Sequence, residues 1–412
     1  MLAAFPPRQW SSVRRHFRAA GVHHAAHVED FQTPRQLTAM SAEPVMVMNA
    51  LGLAVIDPRR APADVAALGR VPGTAVRHEH MLRRSTTLRH TTGALPTRLD
   101  WLDETDQTWA LSALGVRPGD SDGSGIRVGV IDSGVALHPD LAGQIHERLA
   151  LAPGTVDDAI GHGTHCAGLI AGRRVPRRGP RYGIAPEAEI VSIGVFDANE
   201  AAPEAMIRVA LYLAVRHGCK IVSLAAGRLS SGYAPEDEYL GRFLVAENCV
   251  LMAAAGNDSN RAVHDRRPTR APANAPFVPA IGALTPAARV WNDSNGIGDD
   301  PATRVDALAP GTAIASAWMT GGTQVVSGTS AATAVAAGVA ATPHHRRRTA
   351  AGRSTSRRNA PRSRPTGWSI YWSSGCIPAA TATRAMATQR VTARRPAPPR
   401  RASDDAARIT AR

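Results

Sequence analysis

Three residues of this chain sit in short segments whose residue types suit them to one chemistry. Asp132 lies in IRVGVIDSG, His162 in GHGTHCAG and Ser330 in SGTSAA. Such a set performs nucleophilic acyl transfer. The hydroxyl attacks a carbonyl, the imidazole takes and returns its proton, and the carboxylate orients the imidazole and stabilises its cation. The order Asp, His, Ser is one of the few chain orders in which the set is known. A fourth segment, AAAGN, ends at Asn257 and offers a side-chain amide to an oxyanion.

Each segment also has a plainer reading. Asp132-Ser133-Gly134 is ordinary turn chemistry. Ser330 suits a helix N-cap, and Asn257 a turn after a strand. An aspartic protease would need a second apolar-Asp-Ser/Thr-Gly segment to share the proton, and the chain has none. His162, His165 and Cys166 suggest zinc, yet no second ligand pair with zinc spacing follows. GHGTHCAG fits neither the dinucleotide nor the Walker phosphate loop. The acyl-transfer reading rests on all the segments together.

The elements that must position these residues alternate. Strands are expected at Ile126 to Ile131, Ala188 to Val195, Ile221 to Ala225 and Cys249 to Ala255. Helices are expected at Gly163 to Ala171, Pro203 to His217 and Glu238 to Glu247, and from Ser330 onward. FVPAIGAL and VDALAPG add short strands. Near-continuous apolar strands separated by helices predict an α/β fold: three layers, with a mostly parallel central sheet covered by helices on both faces. Asp132 then ends its strand at the carboxyl edge, where sites form in such sheets.

On these motifs the chain resembles the subtilisin-like serine proteases, the subtilases. The resemblance covers residues 101–341. It implies an endopeptidase with Ser330 as nucleophile, His162 as general base, Asp132 as its orienting partner and Asn257 in the oxyanion hole. Ser223, Leu224, Ala225 and Gly256 match a segment set that holds extended polypeptide substrates. Cys166 resembles the thiol beside the catalytic histidine in some subfamilies. Ala331 stands where the family carries Met, Ala334 and Val335 where it carries Pro-His, and Ala225 where it usually carries Gly. Asp140, in HPDL, matches a calcium position, but its expected loop, RRVPRRGPRYG, brings arginines and no carboxylate. No cofactor is required by this reading, no other metal site is expected, and calcium is left open.

Ahead of that region, residues 44–82 read as a small α+β unit like the family's propeptide, an intramolecular inhibitor, with a helix near Ala63 to Leu68. The competing reading is an accessory domain. Residues 83–100 read as a linker and residues 1–43 show no clear period. After Ala341 the character breaks. Residues 342–412 are Arg-rich and read as a disordered tail or as one translated in a shifted frame, since Pro343 stops the Ser330 helix. An inactive or poorly folded homologue is the alternative that follows.

Charge sharpens the picture. From His344 onward the chain carries 16 Arg, no Lys and 2 Asp, which accounts for the whole net charge of +14. Nucleic-acid binding through this tail is a minor alternative, tied to its steep salt dependence. The expectation is a monomer with no specific nucleic acid and no membrane partner. Four cysteines are too few for a disulfide framework in 412 residues, and reduced, buried thiols are expected. The family is mostly secreted, whereas MLAAFPPRQWSSVRRHF lacks a signal peptide's apolar stretch. The compartment stays open.

Overall fold

VMVMNALGLAVID folds as an antiparallel pair rather than one strand. The computed structural model describes residues 106–342 apart from 118–119, 121, 153, 231, 233 and 297–303, together with residues 75–84, Arg59 and the further short strands given below. Strand β1 (Leu2–Ala4) lies between β4 (Leu53–Ile56) and β5 (Ala75–Arg77). Strands β2 (Ala26–His27) and β3 (Val45–Met48) complete the order β2-β3-β4-β1-β5. Residues 1–43, unassigned from sequence, therefore supply two strands of this sheet. The helix expected near residues 63–68 lies outside the described residues.

The next strand, β6 (Met81–Arg84), leaves that sheet and joins the main body. Arg83 and Arg84, expected in a linker, are thus strand residues. A short helix, α1 (Trp109–Leu114), ends on Gly115 in the left-handed region and precedes the central sheet.

That sheet is built from β7 (Arg127–Asp132), β8 (Ile145–Ala150), β9 (Glu189–Gly194), β11 (Ile221–Leu224), β13 (Val250–Ala254), β14 (Ala280–Leu284) and β15 (Ala307–Pro310), after the short β10 (Ala201–Pro203) and β12 (Ala226–Gly227), which pair elsewhere. Its order is β15-β14-β13-β11-β7-β9-β8, all parallel. An antiparallel β18 (Tyr371–Trp372) extends it at β15, beyond a hairpin of β16 (Ile314–Ala317) and β17 (Thr323–Val326). From β7 the chain goes out to β8, returns to β9, then crosses to β11 and runs outward on the other side, so the topological switch lies between β7 and β11. A crevice is expected at their carboxyl ends.

Two cores cover the two faces. Ile131, Val191, Ile193, Val222 and Leu251 pack against α3 (Glu204–Arg216) and α4 (Pro235–Ala246). Val128, Val130, Ile190, Met252 and Ile281 pack against α1, α2 (His162–Ala171) and α5 (Thr329–Ala341). This is the three-layer α/β architecture expected from the alternation. Helix α4 starts at Pro235, a proline that needs no amide donor there, followed by Glu236, Asp237 and Glu238 on the positive end of its dipole.

Candidate active site

Asp132 is the last residue of β7 and His162 the first of α2. Both are buried at 1% exposure. The carboxylate accepts the ring Nδ1 at 2.7 and 2.9 Å, and the Ser133 amide at 2.7 Å. With its Nδ1 proton given to Asp132, the imidazole keeps the Nε2 lone pair for a proton transfer. The approach depends on a glycine. A Cβ on Gly163 would lie 2.0 Å from the Gly134 carbonyl oxygen and 3.1 Å from Asp132 Cβ.

Ser330 is the second residue of α5, buried, and its Oγ donates to the Ala225 carbonyl at 3.3 Å. Asn257 is locked to the same helix end. Its Oδ1 accepts Thr329 N at 3.0 Å and Thr329 Oγ1 at 2.7 Å. Its Nδ2 is shielded from solvent and has no hydrogen-bond partner. Leaving such a donor unmet costs about 1–3 kcal/mol. Gly256 makes the turn that aims Asn257, at φ +110°, where an added Cβ would meet Asn295 Nδ2 at 2.4 Å. Asn295 Oδ1 holds the next amides, Asp258 at 2.7 Å and Ser259 at 2.9 Å. Thr329 and Asn295 were not singled out from sequence. Thr329 had a signal, being the residue before Ser330. Asn295 had none.

The zinc set is not brought together. His165 turns away from His162, and its Nε2 bonds the Ile314 carbonyl at 3.1 Å. Burial lowers its pKa to about 4. Cys166 does lie beside the catalytic pair, with Sγ 4.0 Å from His162 Nδ1. Cys166, Cys219 and Cys249 are free and buried, as expected.

Asp140, the calcium position implied by the resemblance, is buried, and its carboxylate accepts the Tyr182 hydroxyl at 2.7 Å and the Arg177 amide at 2.9 Å. Burial and that bond to Asp140 raise the Tyr182 pKa.

The segment expected to hold extended substrate runs from inside the sheet to its edge. Ser223 and Leu224 lie inside β11, which is bonded to β7 on one side and β13 on the other. No edge is left there for an added strand. The pairing edge is Ala226–Gly227, and β6 occupies it. Gly227 faces Arg83 and Ala226 faces Arg84, while β10 closes the other side with Ala202 opposite Leu82. Leu82 is buried beside Ile207, Leu240 and Pro272.

Charges pin the same segment down. Arg77 donates to both Glu204 oxygens at 2.9 Å and to Glu236. The Glu79 carboxylate accepts the Ala205 amide at 2.8 Å at the start of α3. Arg208 bridges Glu204 at 2.7 Å and Asp237 at 2.8 Å, and Arg228 bonds Asp237 at 2.6 Å. Burial alone would raise the Glu204 carboxyl, but Arg208, Arg228 and Arg77 draw it down to about 2.

The fold and this site define a three-layer α/β protein with a buried Asp–His pair at the carboxyl edge of its sheet and a serine at a facing helix N-terminus. The chain belongs to the subtilase family, whose sequence model matches residues 123–355. It is similar to the cuticle-degrading protease of Metarhizium anisopliae, 33% identical over 227 residues, 54% of each chain. It is similar to thermitase of Thermoactinomyces vulgaris, 32% identical over 227 residues, covering 53% of this chain and 75% of that one. The crystal structure of a cold adapted subtilisin-like serine proteinase is 27% identical, covers 57% of this chain and 84% of that one, and has a TM-score of 0.47. The chain spans about half the length of the Metarhizium relative.

Proposed function

We propose that the chain is a serine endopeptidase that carries an N-terminal inhibitor in its own cleft. The observation that carries the reading is the buried, unpartnered Asn257 Nδ2, one residue from Ser330 through Thr329: a donor with no oxygen to meet. Ser330 Oγ attacks the scissile carbonyl as His162 Nε2 takes its proton. Asp132 holds the imidazolium. The oxyanion is met by Asn257 Nδ2 and the Ser330 amide. His162 then protonates the leaving amine, and water repeats the sequence on the acyl-enzyme.

Polypeptide substrates enter as an added strand between β10 and β12, where β6 now lies. Subtilases commonly hold calcium. No step here depends on a metal. Every residue named in the reaction comes from one chain, so a monomer suffices. Among the described residues no helix is long and apolar enough to cross a membrane. The basic tail invoked for nucleic acid lies outside the described residues, save β18.

The test is fluorophosphonate labelling of the full chain beside Ser330→Ala, with N-terminal sequencing of both. The expected result is labelling and a new N-terminus in the wild type, and neither in the variant. A folded wild type that takes no label is the inactive homologue instead.

A further inference from the structure

Behind the Asp132–His162 pair lies a second buried carboxylate that the reaction scheme leaves unused. Asp158 is 1% exposed and takes five donors. Its Oδ1 accepts Ser133 Oγ at 2.7 Å, Gly161 N at 2.8 Å and Ile160 N at 3.3 Å. Its Oδ2 accepts Thr164 N at 2.8 Å and Thr164 Oγ1 at 2.5 Å. The two hydroxyls also accept, and they do so across the gap. Ser133 Oγ, after β7, takes the Gly163 amide of α2 at 3.0 Å. Thr164 Oγ1, on α2, takes the Ala136 amide beyond β7 at 2.9 Å. Each strap joins the Asp132 segment to the His162 helix, and both give their protons to Asp158. Asp158 holds φ +53°, a left-handed conformation that Asp tolerates better than most residues.

One further consequence concerns charge. Ser133 has a single hydroxyl proton and two carboxylates in reach, Asp158 Oδ1 at 2.7 Å and Asp132 Oδ1 at 3.2 Å. The shorter bond takes the proton. Asp132 therefore spends less of its charge on Ser133 and more on His162.

We propose that Asp158 is a positioning residue of the catalytic pair. It fixes the Ser133 and Thr164 hydroxyls, which set the spacing of Asp132 and His162, and it keeps the Ser133 proton off Asp132. The proposal rests on the serine-endopeptidase reading above.

The test compares kcat and KM on a peptide substrate for the processed wild type and four variants. Asp158→Asn keeps the shape and the left-handed backbone but turns two donors against donors. Thr164→Val and Ser133→Ala each remove one strap and leave the carboxylate. Asp158→Asn should lose about 10²-fold in kcat with KM unchanged, the scale expected for a misplacement of about 1 Å. Thr164→Val and Ser133→Ala should each lower kcat in the same way, and Thr164→Ser should restore it. If Asp158→Asn does not fold, the two strap variants decide. Folded variants with wild-type kcat, or equal losses in KM, would overturn the proposal. A wild type without activity or fluorophosphonate labelling overturns the endopeptidase reading instead, so the two failures are distinct.

Discussion

Two pairs of helices flank one sheet, one held by packing with no charged residue and the other by packing together with buried ion pairs. Helices α2 and α5, which start at His162 and Thr329, contain no Asp, Glu, Lys or Arg. Every residue of α2 is buried. Their packing is steric: a Cβ on Gly168 would lie 2.3 Å from Ser316 Oγ, and one on Gly338 3.0 Å from Ile184 Cβ. On the other face, α3 and α4 bury Glu204, Arg208, Glu236 and Asp237, and Arg77 from a distant segment completes their pairing. Close packing holds a geometry to fractions of an ångström because interiors have little free volume. Buried ion pairs specify a partner, because leaving one charge of the pair unmet is costly.

The comparison breaks most visibly at the catalytic side. Asn257→Ala should cost about 10²–10³ in kcat with little change in KM, a magnitude taken from the same kind of donor in subtilisin, a relative. Gly163→Ala should cost about 10²-fold, since the added methyl must push α2 away from the Gly134 carbonyl. If the methyl proves harmless by steady-state kinetics, the steric account of α2 is wrong. Arg77→Ala, placed in a Ser330→Ala chain that cannot cut itself, should lower stability by about 1–3 kcal/mol, because Glu204 and Glu236 lose a partner while Arg77 itself is partly exposed. Urea unfolding reads that loss, and no loss would mean the docking is carried by Leu82, Glu79 and the pairing of β6 without Arg77.

Acid sharpens the contrast. His165, on the catalytic face, has its pKa lowered from 6.5 to about 4 by burial. The unfolded chain takes that proton first, so stability is full above about 6.5 and falls as pH drops to about 4, by on the order of 3 kcal/mol. Glu204, on the docking face, is lowered from 4.5 to about 2, so its contribution is full above 4.5 and falls as pH drops toward 2. Unfolding followed against pH should show the His165 window first. Its removal by His165→Gln would leave only the lower one.

Much of the catalytic side was legible because its constraints are local. Glycines at 161, 163 and 256, an aspartate ending an apolar run and a serine opening an alanine-rich helix each answer to neighbours a few residues away. Which stretch of the substrate segment is bonded on both sides was not legible, for a different reason. Ser223-Leu224 and Ala226-Gly227 look alike as short apolar stretches, and only the sheet tells that the first is bonded on both sides. The first 43 residues gave no period because strands of two and three residues are too short to have one.

The order of Asp132, His162 and Ser330, the alternation that makes a parallel sheet and the family itself were determined by the sequence, since each depends on residue type and spacing alone. Tertiary structure alone decided that β6 pairs between β10 and β12, that Arg77 meets Glu204 across 127 positions, that Tyr182 meets Asp140 and that Asp158 ties the Asp132 segment to the His162 helix. These are pairings between residues far apart in the chain. Loop closure brings such groups together only in the folded state, where burial makes an unmet donor or charge costly enough to specify its partner.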